Sequence, residues 1–213
     1  YWHYRQKNLS FFAAIDCTGH GVPGALMSMI ANELMNQTVI QKKLTDPAEI
    51  LAHLNKLMVR TMRQKDENKM RDGMDLGLVV VNHLTNELHF SGALSSMYLI
   101  RNGDLNVISG NRHSVGGHLE DVTKEFETTT ISLSNDDQIY LASDGYIDQF
   151  GGPNGKKLMK KRFSAILQEI STLPMADQKQ VLLKRFNDWR GSLKQVDDVL
   201  VVGLTYNSND TVK

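Results

Sequence analysis

The chain has 213 residues, 41% of them hydrophobic and 23% charged, and its 24 Lys plus Arg balance 24 Asp plus Glu. Zero formal charge argues against nucleic acid as the main partner, because phosphate backbones select clustered positive charge. A single cysteine excludes an internal disulfide framework and fits a reducing compartment.

No apolar run approaches the roughly 18 residues that a membrane span needs, so no membrane contact is expected. Tyr1-Trp2-His3-Tyr4-Arg5 does not open a signal peptide. With no initiator Met, the chain is expected to be a piece of a longer protein. Ser10 to Ile15 predicts a buried strand that stops at Asp16, followed by a turn at Cys17-Thr18-Gly19-His20-Gly21. Val22-Pro23-Gly24 opens a helix to about residue 42, with Ala25, Leu26, Met29, Ile30, Leu34, Thr38 and Val39 as its inward face. Asp46 caps a second helix that starts at Pro47 and buries Ile50, Leu51, Leu54, Leu57, Met58 and Met62. The charged stretch 64–71 reads as a solvated connection.

Strands follow over 74–84, 87–94, 97–101 and 105–109, the last two joined by the hairpin signal Asn102-Gly103. Further strands are expected over 126–133 and 138–142, then helices over about 157–170 and 175–190. A strand over 199–205 comes before a polar tail. Two helices early, a run of antiparallel-looking strands and two helices late make an α+β fold by layer logic. No repeat or linker divides it, so one domain over 1–207 is expected, with 208–213 as tail.

Three aspartates share one local setting. Asp16 ends a strand before a glycine-rich turn, Asp144 ends a strand before Gly145, and Asp197 precedes a strand. Strand ends meeting at one rim can converge such carboxylates, and hard oxygen ligands suit Mg²⁺ or Mn²⁺ rather than zinc. Two such ions about 3.5–4 Å apart hold a phosphoryl group and acidify a bridging water. Against this stands the turn residue, an Asp whose side chain bonds only local backbone.

The run Ala14 to Met29 (AIDCTGHGVPGALMSM) resembles the opening motif of bacterial SpoIIE/RsbU-type phosphatases, a branch of the metal-dependent PPM superfamily of serine/threonine phosphatases. Leu141 to Gly152 (LASDGYIDQFGG) resembles the family's second metal motif, and Gln195 to Val202 (QVDDVLVV) its closing one. Asp72-Gly73-Met74-Asp75-Leu76 and Tyr98 to Gly103 resemble intervening strands. The motifs run over nearly the whole chain in the family's order.

The resemblance implies a sandwich of two antiparallel sheets flanked by helices, in α/β/β/α layers. It implies two divalent cations, Mn²⁺ or Mg²⁺, with Asp16, the backbone carbonyl of Cys17, Asp144 and Asp197 as ligands. Asp16, Asp144 and Asp197 would then serve catalysis through the water those ions activate. Asp198, Gly19, His20 and Gly145 are further candidates, as alternative ligand or as groups just outside the ligands; the doubled Asp197-Asp198 leaves the choice between them open. The implied reaction is hydrolysis of phosphoserine or phosphothreonine on a regulatory protein. The implied substrate is a STAS-type anti-sigma-factor antagonist in bacterial partner switching, in the cytoplasm. An upstream sensor or receiver domain and a homodimer are the other implied partners.

Two features depart from the family. A further metal-binding Asp normally stands just ahead of an aromatic pair; Tyr1-Trp2 open this chain, so that Asp would lie just before residue 1. Ala93-Leu94-Ser95-Ser96 replaces a small, Asn-rich run. If the upstream Asp is missing, the alternative is a catalytically impaired phosphatase-like binding domain.

Other residues carry two readings each. His20 orients a phosphate or shapes the turn. Cys17 is a redox-sensitive thiol or an inert buried one. Gly19, Gly21 and Gly24 cradle phosphate or allow tight turning. Met27, Met29 and Met35 pack the helix, or some of them face a regulatory partner helix. Lys156, Lys157, Lys160, Lys161 and Arg162 form a solvated helix start or a flap that docks a phosphoprotein.

Overall fold

The computed structural model describes residues 1–19, 21–63, 72–117 and 123–208. His20, the stretch 64–71 and the tail beyond 208 lie outside the described residues.

The first half of the chain gives β1 (Trp2–Gln6), β2 (Leu9–Cys17), α1 (Gly21–Met35), a π-helical continuation (Asn36–Gln41) and α2 (Pro47–Arg63). Then come β3 (Gly73–Asn82), β4 (Glu87–Ala93), β5 (Ser96–Arg101), β6 (Asp104–Ser109), β7 (Val115–Gly116), β8 (Thr129–Ser132) and β9 (Gln138–Ala142). The chain continues through α3 (Gly145–Asp148), β10 (Phe150–Gly151), β11 (Lys156–Lys157), α4 (Lys160–Ile170), α5 (Met175–Arg190) and β12 (Val201–Thr205). The α+β class with antiparallel sheets and helices is as expected. The elements fall into two compact units interleaved in sequence: Tyr1–Ser96 with Ser109–Leu133, and Met97–Ile108 with residues 134–208.

In the first unit the strand order is β1-β2-β3-β4-β8, with β7 also paired to β3. Side chains alternate across the sheet. Phe11 and Ala13 of β2 and Met74, Leu76, Leu78 and Val80 of β3 face one way and join Met27, Leu34, Met35, Ile50, Leu51, Leu54 and Met58 of the helices in one core. Each such side chain withdrawn from water contributes about 1.5–3 kcal/mol. Asp46 caps α2 as expected, its Oδ1 accepting the Glu49 N–H at 3.0 Å.

Two expectations change here. β2 does not stop at Asp16: its register with β3 runs on to Cys17 opposite Met74. The inward face of α1 is also turned. Leu26 and Met29 are 56% and 69% exposed and Ala25 is exposed, whereas Gly24, Met27, Ala31, Leu34 and Met35 are buried. The helix approaches its neighbours through small residues, which an apolar count overlooks. A Cβ on Gly24 would lie 3.0 Å from the Gly19 carbonyl carbon.

In the second unit the order is β12-β9-β5-β6. Asn102 and Gly103 both take positive φ, 52° and 85°, as a tight right-twisting hairpin requires. Tyr98, Ile100, Tyr140 and Tyr146 form a core with Phe163, Ile166, Leu167 and Ile170 of α4 and Leu182 and Phe186 of α5. Burial pushes the Tyr140 hydroxyl up to about 12. It donates to Gln178 Oε1 at 2.6 Å. The helix expected from 157 starts at Lys160, because Lys157 pairs with Phe150 in the β10–β11 hairpin.

Candidate metal-binding carboxylates

In the first unit, Asp16 is the penultimate residue of β2 and stands directly opposite Asp75 of β3. Directly paired residues share a face with Cβ atoms about 4.5–5.5 Å apart. Alternation puts both carboxylates on the face turned away from the helices. The turn that follows is anchored by one residue. Thr18 donates from its backbone N–H and from Oγ1 to the Gly73 carbonyl, both at 3.0 Å, and Oγ1 accepts the Gly73 N–H at 3.1 Å. Gly19 and Gly21 have φ of 95° and 65°, a region that L side chains rarely adopt. The glycines therefore turn the chain sharply into α1. Cys17 points to the helix side. Burial pushes its thiol up, a hydrogen bond with Ser28 pulls it down and the Asp16 charge pushes it up again, which favours the unreactive thiol form.

In the second unit, Asp144 stands at the N-cap of α3, and its side chain makes no capping bond. Burial by its neighbours pushes the carboxyl above its ordinary value even though the residue keeps exposed surface; Asp197 and then Asp148 push it further, and Lys157 opposes them. Lys157 Nζ also pairs with Asp148 Oδ2 at 2.6 Å. Asp197 and Asp198 lie on the loop entering β12. The backbone of that loop comes so near Gly145 that a Cβ there would overlap the Asp198 carbonyl oxygen and lie 2.9 Å from its carbon. Asp197 Oδ1 accepts the N–H of Asp198 at 2.8 Å. Asp198 offers its carbonyl to Ser143 Oγ at 2.9 Å.

The structure thus gathers Asp144, Gly145, Asp197 and Asp198 in the second unit, and Asp16, Cys17 and Gly19 in the first. Between the doubled aspartates the interactions differ: Asp197 is the one whose charge acts on Asp144. Among the described residues, no group of three or more His, Cys, Asp or Glu side chains is placed to hold a metal ion. The donors present nevertheless fit a divalent cation in kind. They are carboxylate oxygens, and the mutual repulsion at Asp144 is what a cation relieves. Three residues escaped the sequence reading. Asp75 was quoted only as part of a strand, and its position opposite Asp16 follows from register alone. Ser143 and Gln149 sit inside a motif, but their partners lie more than forty residues away.

The family model of stage II sporulation protein E (SpoIIE) matches residues 7–207. Among solved structures, the SiaA PP2C domain of Pseudomonas aeruginosa is similar over 97% of this chain and 79% of its own, with 26% identity and a TM-score of 0.87. The RsbU and RsbW domains of a Mycobacterium tuberculosis protein are similar at 18% identity and a TM-score of 0.70, over 93% of this chain and 52% of theirs. The catalytic domain of the serine/threonine phosphatase PstP in complex with two manganese ions is similar at 19% identity and a TM-score of 0.61, over 95% and 89%. No curated protein matches the chain by sequence.

Proposed function

The chain belongs to the SpoIIE family of PP2C-type phosphatase domains, and from that premise we propose that it hydrolyses phosphoserine or phosphothreonine on a regulatory protein in a reaction dependent on divalent metal. The observation that carries this reading is the crowding at Asp144. Two further carboxylates act on its charge, and one of them, Asp197, is brought there from 53 residues downstream by backbone packed against Gly145. Like charges left together at an exposed edge are what a bound cation would relieve.

Asp16, the Cys17 carbonyl, Asp144 and Asp197 are the proposed ligands for Mn²⁺ or Mg²⁺. When bound, the ions supply neutralisation of phosphoryl charge and acidification of a water. The protein's own residues hold the oxygens in place. Thr18 fixes the turn after Asp16, and Ser143 fixes the backbone on both sides of Val199. Lys157, paired with Asp148 and acting on Asp144, keeps a positive charge beside the carboxylates where a phosphate would arrive.

The substrate proposed is a phosphorylated STAS-type antagonist of an anti-sigma factor. The proposed setting is the bacterial cytoplasm, with an upstream sensor or receiver domain and a homodimeric assembly. No helix among the described residues is long and apolar enough to cross a membrane. The test is phosphate release from a phosphoserine-bearing STAS protein with Mn²⁺ and with EDTA. Release that needs the metal supports the reading; equal release in EDTA contradicts it.

A further inference from the structure

We infer that Gln149 is a positioning residue for Asp197, setting where that carboxylate stands relative to Asp144; this rests on the proposed role of the two as metal ligands. Gln149 is completely buried, at 0% exposure, and every polar function of its side chain is used. Nε2 donates to the Phe150 and Lys194 carbonyls, both at 2.9 Å. Oε1 accepts the Val196 N–H at 3.3 Å. Its backbone carbonyl accepts the Trp189 indole N–H at 2.9 Å and the Leu158 N–H at 3.0 Å. One residue therefore joins the end of α5, the β10–β11 hairpin and the loop 191–196 to the segment that carries Asp144.

The spacing gives these bonds their consequence. Asp144 and Gln149 are the two ends of the short α3 segment, with Asp144 at its N-cap and Gln149 at its C-cap. Gln149 grips the loop at Lys194 and Val196, one residue before Asp197. On the other side, Ser143 Oγ donates to the Asp198 carbonyl and accepts the Leu200 N–H, each at 2.9 Å. Residues 194–200 are thus held at both ends by the residues that bracket Asp144, with Asp197 between the two grips. An exposed loop without them would sample many positions for that carboxylate. Each lost bond would also leave a polar group with poorer partners. Groups that orient metal ligands typically change metal affinity by about 10–100-fold when removed.

The experiment measures Mn²⁺ affinity by calorimetry, well below the melting temperature, for the wild type, Gln149→Met, Gln149→Asn and Gln178→Met. Gln178→Met is the control, since it removes another buried amide of the same unit, one bonded to Tyr140, Gln138 and Leu173 rather than to the carboxylate loop. The expected result is about tenfold or greater loss of affinity for Gln149→Met. Gln149→Asn, which keeps the uncharged amide but holds it one methylene short of its partners, is expected to lose less. Gln178→Met is expected to lower the melting temperature and leave affinity unchanged. If Gln149→Met fails to fold, Gln149→Asn decides the matter by the same measurement. Wild-type affinity in a folded Gln149 variant, or equal loss in Gln178→Met, overturns the inference. A wild type whose Mn²⁺ uptake is unchanged by Asp144→Ala instead overturns the metal reading on which it rests.

Discussion

Gly145→Ala perturbs the carboxylate pair without touching a charge. The added methyl would lie 2.9 Å from the Asp198 carbonyl carbon and 3.3 Å from that of Asp197, and it would overlap the Asp198 oxygen. Carbon atoms rest at about 3.5–4.0 Å, so the loop must retreat by about 0.6 Å at the least. The obstacle is backbone, which cannot swing aside as a long side chain would. Overpacking of this kind costs typically about 1–3 kcal/mol, read as a lower urea midpoint. Retreat also moves Asp197 away from Asp144 and strains the Ser143–Asp198 bond. A misplacement of about 1 Å can cost about a hundredfold in rate, so the variant is expected to lose between about tenfold and a hundredfold of its Mn²⁺-dependent phosphate release. The assay is initial-rate release from a phosphoserine protein at saturating Mn²⁺, beside urea unfolding followed by circular dichroism. A rate within twofold of wild type together with lowered stability would refute the role given to Asp197. An unchanged rate and unchanged stability would refute the close approach itself.

Thr18→Val removes the hydroxyl that both donates to and accepts from Gly73. It is expected to cost about 1–3 kcal/mol and to lower Mn²⁺-dependent release by more than its effect on folding explains, measured on the same two assays. Arg101→Met takes from the Asp137 carboxylate, 0% exposed, the guanidinium that holds it at 2.8 and 2.6 Å, and leaves it the neutral Ser134 N–H at 2.8 Å. Orphaning a buried charge costs about 3–5 kcal/mol, so urea unfolding should show that loss, while the surviving folded fraction keeps its metal affinity. Asp144→Asn should raise the melting temperature of the metal-free protein at neutral pH. The folded carboxyl sits above its ordinary value, so its charged form disfavours folding, and that penalty appears as pH rises through the raised value and is absent below the unfolded one. The gain should be small, since the group is exposed and screened, and it should vanish near pH 3; a gain that persists in acid contradicts the assignment.

Much of the candidate site was legible as three motifs, because the proposed ligands Asp16 and Asp144 and their turn glycines are contiguous in sequence. Asp144-Gly145 and Asp16 through Gly24 announce tight turns wherever they occur. What stayed hidden was non-local. Asp75 faces Asp16 only through the β2–β3 register, and Gln149 meets Lys194 and Val196 across 45 and 47 residues. The two helices with broad aliphatic stripes show how far periodicity carries. In α2, Ile50, Leu51, Leu54 and Met58 are buried as expected. In α1 the buried stripe runs through Gly24 and Ala31, so the large side chains Leu26 and Met29 point outward and the buried face lies more than a third of a turn from the expected one. The β10–β11 hairpin escaped because two-residue strands carry no period to detect.

Carboxylates of this chain are proposed to support metal-dependent dephosphorylation. Phosphate release from a phosphoserine protein, measured with Mn²⁺ for the wild type and for Asp144→Ala, tests it most directly. The expected result is release by the wild type that EDTA abolishes and that Asp144→Ala lowers by about a hundredfold or more while the variant stays folded. Release by folded Asp144→Ala at the wild-type rate, or wild-type release undiminished by EDTA, would contradict it.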